Sequence, residues 1–279
     1  MSAFARALLR SVRTSLGRFL AIVGIVALGC GFLAGLKMVG MDMRTAQDAY
    51  YDNQGLWDLK LISTMGFEDA DVQTLQAQDD ITDVQPVLLV DAKVSAGDTD
   101  FIARISTFDS SSSLDKLTLE QGRWPISPSE CLVVEESKQA VPLGQEIDVA
   151  SSDDVDTMLA HTHLRVVGTV SSPEYVNSQN FGSTNMGSGT LDQVIFVLPE
   201  AFSEDVPAVA LAVGLRDATA LESGSTAYEN LVEDARTRVE DMVPTLAERR
   251  QNDLKQEAQD ELDSKKLILR KAGRARKMR

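Results

Sequence analysis

FLAIVGIVALGCGFLAGL, residues 19–36, is eighteen residues without a charge. As a helix it extends roughly 27 Å, close to the roughly 30 Å hydrocarbon thickness of a bilayer. Ten of its residues are Phe, Leu, Ile or Val, each favouring insertion by roughly 0.3–0.6 kcal/mol, so insertion is favoured by about 3–6 kcal/mol before the glycines are counted. A transmembrane helix over 19–39 decides how everything around it is read.

Four arginines, Arg6, Arg10, Arg13 and Arg18, precede the span, and Lys37 closes it, where its long stem can reach the interface. Asp42, Asp48 and Asp52 follow, against a single further cation, Arg44. This bias places the N-terminus in the cytoplasm and the rest of the chain outside. Residues 1–18 form a cytoplasmic amphipathic segment. Phe4, Leu8, Leu9 and Val12 recur at helical spacing and the arginines fall mainly on other faces, a pattern that draws such a segment to anionic lipid on the inner leaflet. A cleaved signal peptide with a lipoprotein site at Cys30 is the competing reading. It is disfavoured because the apolar run continues through Phe32, Leu33 and Leu36, and because the order before Cys30 fits a lipobox poorly. Gly31 and Gly35 form a GxxxG at which a neighbouring helix can approach, although membrane helices are glycine-rich in any case.

Charge is segregated along the chain. The net charge of -15 divides into +5 over residues 1–40, -28 over 41–264 and +8 over 265–279. So acidic a middle repels phosphate backbones, and nucleic-acid binding is set aside. If the apolar run stays in the membrane, Cys30 cannot pair with Cys131.

Outward from the span, residues 40–55 read as a helical connector ending near Gly55. An extracytoplasmic domain over 56–220 follows, opening strand (57–63), helix (68–78), strand (84–95), strand (101–107). Further short strands fall at 117–120, 131–135, 147–150, 164–170, 194–198 and 209–215. Strands outnumber helices without strict alternation, which predicts an α+β domain with mixed or antiparallel sheets. The Ser/Gly/Asn-rich stretch 171–190 is too long for a simple connection. Its Tyr175, Asn177, Asn180, Phe181, Asn185 and Met186 are candidate partner contacts. Residues 225–264 read as an amphipathic, coiled-coil-like stalk: Leu231, Ala235, Val239 and Met242 share a face, Pro244 interrupts, and Leu254, Ala258 and Leu262 continue. The tail 265–279 is purely basic, and the abrupt change near Ser264 predicts a shifted frame or an interrupted gene.

Chemical motifs are sparse. GSTNMGSGT (182–190) has the outline of a phosphate-binding loop, but Ser188 stands where the lysine is needed. His161 and His163, the two histidines of the chain, would share one face of a strand, with no Cys or clear acidic partner at metal-ligand spacing. There is no Gly-x-Ser-x-Gly elbow, and no carboxylate pair stands out from surface charge. The reading is a non-enzyme with no catalytic, cofactor or metal residues.

A set of stretches carries a resemblance: SLGRFLAI (15–22) entering the span, DLKLIST (58–64), LEQGRWP (119–125) followed by ECLVV (130–134), VVGTVSSP (166–173), and the 182–189 loop before FVLP (196–199). In this order, behind a first transmembrane helix, the chain resembles the N-terminal part of bacterial ABC-transporter permeases of the FtsX/MacB type. The residues themselves read as a single-pass protein of the bacterial plasma membrane, and the resemblance implies that its outer domain couples a separate ABC ATPase subunit to export or to force transmission. The stretch from residue 225 would be the start of a stalk. It also implies at least three further transmembrane helices, which have no counterpart in residues 1–279. Two classes therefore stand: a subunit or fragment of an ABC permease, and a single-span anchored module that binds an extracytoplasmic partner without ATP. The transported substrate is not legible.

Overall fold

The computed structural model describes residues 14–135, 137–177, 180–204 and 206–277. The chain divides into two units, Met1–Tyr50 and Tyr51–Arg279.

Helix α1 (Leu16–Gln54) runs unbroken through the expected span and connector, and none of its residues is buried. Ile25, Leu28 and Phe32 are each about 70% exposed (73%, 75% and 68%). Apolar side chains on every side of a helix are the pattern of a membrane span. By length and composition, α1 is the one helix among the described residues able to cross a membrane. The helix stops at Gly55, whose φ of +64 is the left-handed conformation that closes many helices. The expected amphipathic segment lies almost wholly outside the described residues.

Tyr51–Arg279 is α+β. A three-stranded antiparallel sheet has β10 (Ala208–Leu215) between β1 (Leu59–Phe67) and β2 (Ile81–Val87). The larger sheet follows the order β5 (Thr118–Gly122), β8 (His163–Ser171), β6 (Glu130–Val134), β9 (Gln193–Val197), β4 (Thr99–Thr107), β3 (Leu89–Ala96), β7 (Glu146–Val149). It closes on itself. One edge of β8 takes β6, while the other is shared, its first residues pairing with β7 and its last with β5. The result is a six-stranded mixed barrel with β5 as an appended strand.

Alternation fills the barrel. Val90, Ala92 and Val94 of β3, Phe101, Ala103 and Ile105 of β4, Cys131 and Val133 of β6, and Ile195 and Val197 of β9 share one buried cluster. The intervening residues of β6 and β9, Leu132, Val134, Val194 and Phe196, are also buried, in a second cluster on the barrel's outer face. All five residues of β9 are therefore buried, which explains the apolar run Val194–Val197, while the buried Gln193 amide donates to the Val134 and Gln139 carbonyls and the Ser137 hydroxyl. A third cluster lies on the small sheet, where Leu211, Val213 and Leu215 pack with Leu75 of α2 (Asp69–Gln76) and with Ala235 and Val239 of α4 (Thr226–Lys277).

Several boundaries differ from the sequence reading. The expected strand over 84–95 is two strands, β2 and β3, assigned to different sheets with Leu88 between them, packed against both cores. Apolar alternation runs through the junction, so periodicity cannot show the change of sheet. Pro86 sits in an edge strand, where a missing N–H is tolerated. A short helix, α3 (Asp153–Met158), was not expected, although Ser152 caps it by accepting from the Val155 N–H. Pro244 does not interrupt α4. Val239 and Met242 pack on the small sheet before it, and Arg249–Asp71 and Arg250–Glu68 ion pairs hold the helix after it, offsetting the lost backbone bond. The helix also continues through Ser264 to Lys277.

Candidate functional site

The most unusual chemistry lies where the small sheet meets the outer face of the barrel, in the turn after β4. Asp115 N–H donates to the Gly55 carbonyl at 2.7 Å, and Lys116 N–H to the Gln54 carbonyl at 2.8 Å. The turn thereby grips the last residues of α1. A Cβ on Gly55 would lie 2.1 Å from the Ser113 carbonyl oxygen, so the grip requires glycine there. Asp115 has φ +48, a left-handed conformation that aspartate tolerates better than most side chains.

This conformation turns the Asp115 carboxyl inward. Its Oδ1 is shut off from solvent and meets no hydrogen-bond partner among the described residues, and the same holds for the Trp57 indole N–H. Across the seam Lys60 Nζ pairs with Glu174 at 2.5 Å, with side chains only 14% and 19% exposed, and stands 5.5 Å from the Trp57 ring centre. Burial foremost, then the Glu174 charge, push the Asp115 carboxyl up to about 7; Lys60 and the Glu174 backbone N–H act in the opposite direction. Beside it Arg104 makes a two-bond ion pair with Asp91 at 2.7 and 3.0 Å. Burial and the Glu174 charge raise the neighbouring Tyr175 hydroxyl, which hydrogen-bonds to Arg104. Asp58, ahead of β1, accepts from the Leu215 N–H and the Tyr228 hydroxyl, joining β1, β10 and α4; burial raises its carboxyl.

An open cleft of about 810 Å³ lies between the small sheet and the barrel, floored by Phe67, Val72, Leu88 and Phe108 and rimmed by Asp69 and Asp109. At the far end of β5 a turn is locked by Glu130, which accepts from Arg123 and from the Ile126 N–H at 2.9 Å. That lock holds Trp124 and Ile126 outward, Ile126 being 82% exposed.

The residues predicted from sequence are scattered over the chain. Arg6, Arg10 and Arg13 lie outside the described residues. Arg18 and Lys37 are exposed on α1, bracketing the apolar run. Gly31 and Gly35 are exposed, and among the described residues nothing outside their own turn of helix lies within 4 Å of where a Cβ would stand. Of the stretch 171–190, Asn177, Asn180 and Asn185 are exposed and Met186 is half-buried. Tyr175 and Phe181 are core residues: they meet edge to face at 5.9 Å and close the outer-face cluster of the barrel. This corrects their expected place on a contact surface. Polar neighbours disguised them, because the stretch is a cover whose few aromatic residues point inward. His163 begins β8 and pairs with Asp148 of β7, an acidic neighbour that sequence spacing did not show; His161 precedes the strand. Among the described residues no group of three or more His, Cys, Asp and Glu is placed to hold a metal. The loop 182–190 is followed by β9, not by a phosphate-binding helix.

Sequence reasoning did not single out Asp115, Lys60, Trp57 or Glu174. The available signals were small: an isolated Lys in an apolar strand, and an Asp within a serine-rich turn.

The chain shares structural features with the periplasmic region of MacB from Actinobacillus actinomycetemcomitans, at 16% identity over 64% of this chain and 75% of that one, with a TM-score of 0.35. The extracellular domain of the noncanonic ABC-type transporter YknZ from Gram-positive bacteria aligns at 12% identity over 63% and 87% of the two chains, with a TM-score of 0.36. No curated protein matches the chain. Residues 19–231, which take in the apolar run of α1, both sheets and the start of α4, match the MacB-like periplasmic core domain. The chain therefore belongs to the family of MacB-like periplasmic core domains, which occur in MacB/FtsX-type ABC transporter permeases and are typically non-catalytic.

Proposed function

We propose that this chain is a permease subunit, or the N-terminal part of one, whose outer domain couples a separate cytoplasmic ABC ATPase to export or to force transmission. The observation that carries this is the extent of the family match, which covers the apolar helix together with the domain. Support for an extracytoplasmic domain comes from the cation bias before the span and the net charge of -28 over residues 41–264. In this reading α1 leads out of the bilayer into the domain. Helix α4 is gripped by the domain through Arg238–Asp80, Arg249–Asp71 and Arg250–Glu68 and continues as helix to Lys277. A long helix held in this way is suited to transmit movement. Further transmembrane helices would come from the rest of the permease.

The test is purification of the tagged chain from its native membranes in mild detergent. An ABC ATPase recovered at stoichiometric level, and lost when the outer domain alone is tagged and expressed, supports the proposal. If the membrane-inserted chain is recovered with an extracytoplasmic partner and no ATPase, the anchored interaction module is the better reading.

A further inference from the structure

The seam between the sheets has an imbalance that the permease reading does not use. Lys60 and Glu174 form one balanced ion pair across it. Asp115 adds a second carboxyl with no cation of its own, its Oδ1 is buried without a partner, and Asp115 and Trp57 both line a small, largely enclosed cavity of about 10 Å³. That volume admits one water molecule, which needs polar partners, and two of the residues that line it each carry a buried polar atom without one: the Asp115 carboxyl and the Trp57 indole N–H.

We propose that Asp115 is a proton-binding site, bridged through one enclosed water to Trp57, and that its proton sets how firmly the turn at residues 113–116 holds the end of α1.

Among the described residues the charged groups around it are few. Lys60 faces it from β1, and Glu174 and Tyr175 from the stretch after β8. Arg104 of β4 stands behind Tyr175 and is already committed to Asp91 of β3. Asp83 of β2 accepts from Ser113 and Asp109 from Ser111, so both hold the same turn from its outer side. With Asp115 protonated the enclosed groups are neutral overall. Ionised, two carboxylates compete for the Lys60 ammonium inside a poorly solvated seam, and the carboxyl that loses is left buried and unpaired.

The direction of the pH effect follows. A carboxyl raised from 3.8 to about 7 in the fold binds its proton more tightly there than in the unfolded chain. Asp115 therefore favours the closed seam more as pH falls from about 7 toward 4, and opposes it as pH rises through 7. An acidic exterior tightens the turn that carries the Gln54 and Gly55 contacts, and a neutral to alkaline one loosens it.

Trp57 is the reporter. In the full chain in lipid nanodiscs, Trp124→Phe leaves Trp57 as the sole tryptophan, since the chain has two. Its emission is expected to titrate with a midpoint near pH 7. Asp115→Asn should abolish that transition. Lys60→Met should move the midpoint up and Glu174→Gln should move it down, each by about half a unit or more. A parent with no transition between pH 5 and 9, or a transition that persists in Asp115→Asn, overturns the proposal. If Asp115→Asn does not fold, the other two variants decide: opposite shifts uphold the site, and shifts in the same direction or none at all overturn it.

Discussion

Replacing Phe181 by Ala tests the finding that the 171–190 stretch is part of the core. Phe181 is 3% exposed and packs against Tyr175 at a ring separation of 5.9 Å and an angle of 77°. Burying a phenylalanine side chain is worth about 1.5–3 kcal/mol. With the residual cavity added, Phe→Ala in a packed site costs about 3–5 kcal/mol. Against a domain stability of roughly 5–15 kcal/mol that is a large fraction. With a urea dependence of about 2–3 kcal/mol per molar, the unfolding midpoint should fall by roughly 1–2.5 M. Asn185, exposed in the same stretch, provides the control: Asn185→Ala should stay within about 0.5 kcal/mol of the parent. The assay is urea unfolding of the full chain in nanodiscs, followed by far-ultraviolet circular dichroism at fixed lipid content. Equal midpoints for the two variants would refute the reasoning and return the whole stretch to the surface.

Two further outcomes follow from the geometry. Gly55→Ala should destabilise the domain by more than about 1 kcal/mol, because its φ is +64 and the new Cβ would meet the Ser113 carbonyl oxygen at 2.1 Å; thermal unfolding in nanodiscs measures it. Hydrogen bonds from Arg123 foremost, then the Ile126 N–H, lower Glu130 from 4.5 to about 2. A carboxyl lowered in the fold contributes stability above pH about 4.5 that is lost as pH falls toward 2, so Glu130→Gln should flatten the acid limb of the stability profile over that window.

What the sequence disclosed depended on how each feature is encoded. The membrane helix was legible because eighteen uncharged residues are a local, additive signal. Most strands were legible for a similar reason: Phe101, Ala103 and Ile105 alternate inward along β4 within a single run of residues. Barrel closure was not, since it depends on β8 dividing one edge between β7 and β5, a pairing between segments far apart in the chain. The join at Leu88 was missed because β2 and β3 show the same alternation while serving different sheets. Tyr175 and Phe181 were recognised as special residues and placed on the wrong side, because polar composition describes the outer skin of a covering loop and says nothing of which few residues fix it down. The Asp115 seam was invisible, since its meaning lies in the absence of a cation that only packing reveals.

The most direct test of the account is sidedness. In a background with Cys30 and Cys131 replaced by serine, single cysteines at residue 10 and at Asn180 are probed with a membrane-impermeant maleimide in intact spheroplasts and in lysed membranes. The account predicts labelling at 180 in intact spheroplasts and at 10 only after lysis, with an uncleaved N-terminus. Labelling at 10 from outside, or protection of 180 until lysis, would contradict it.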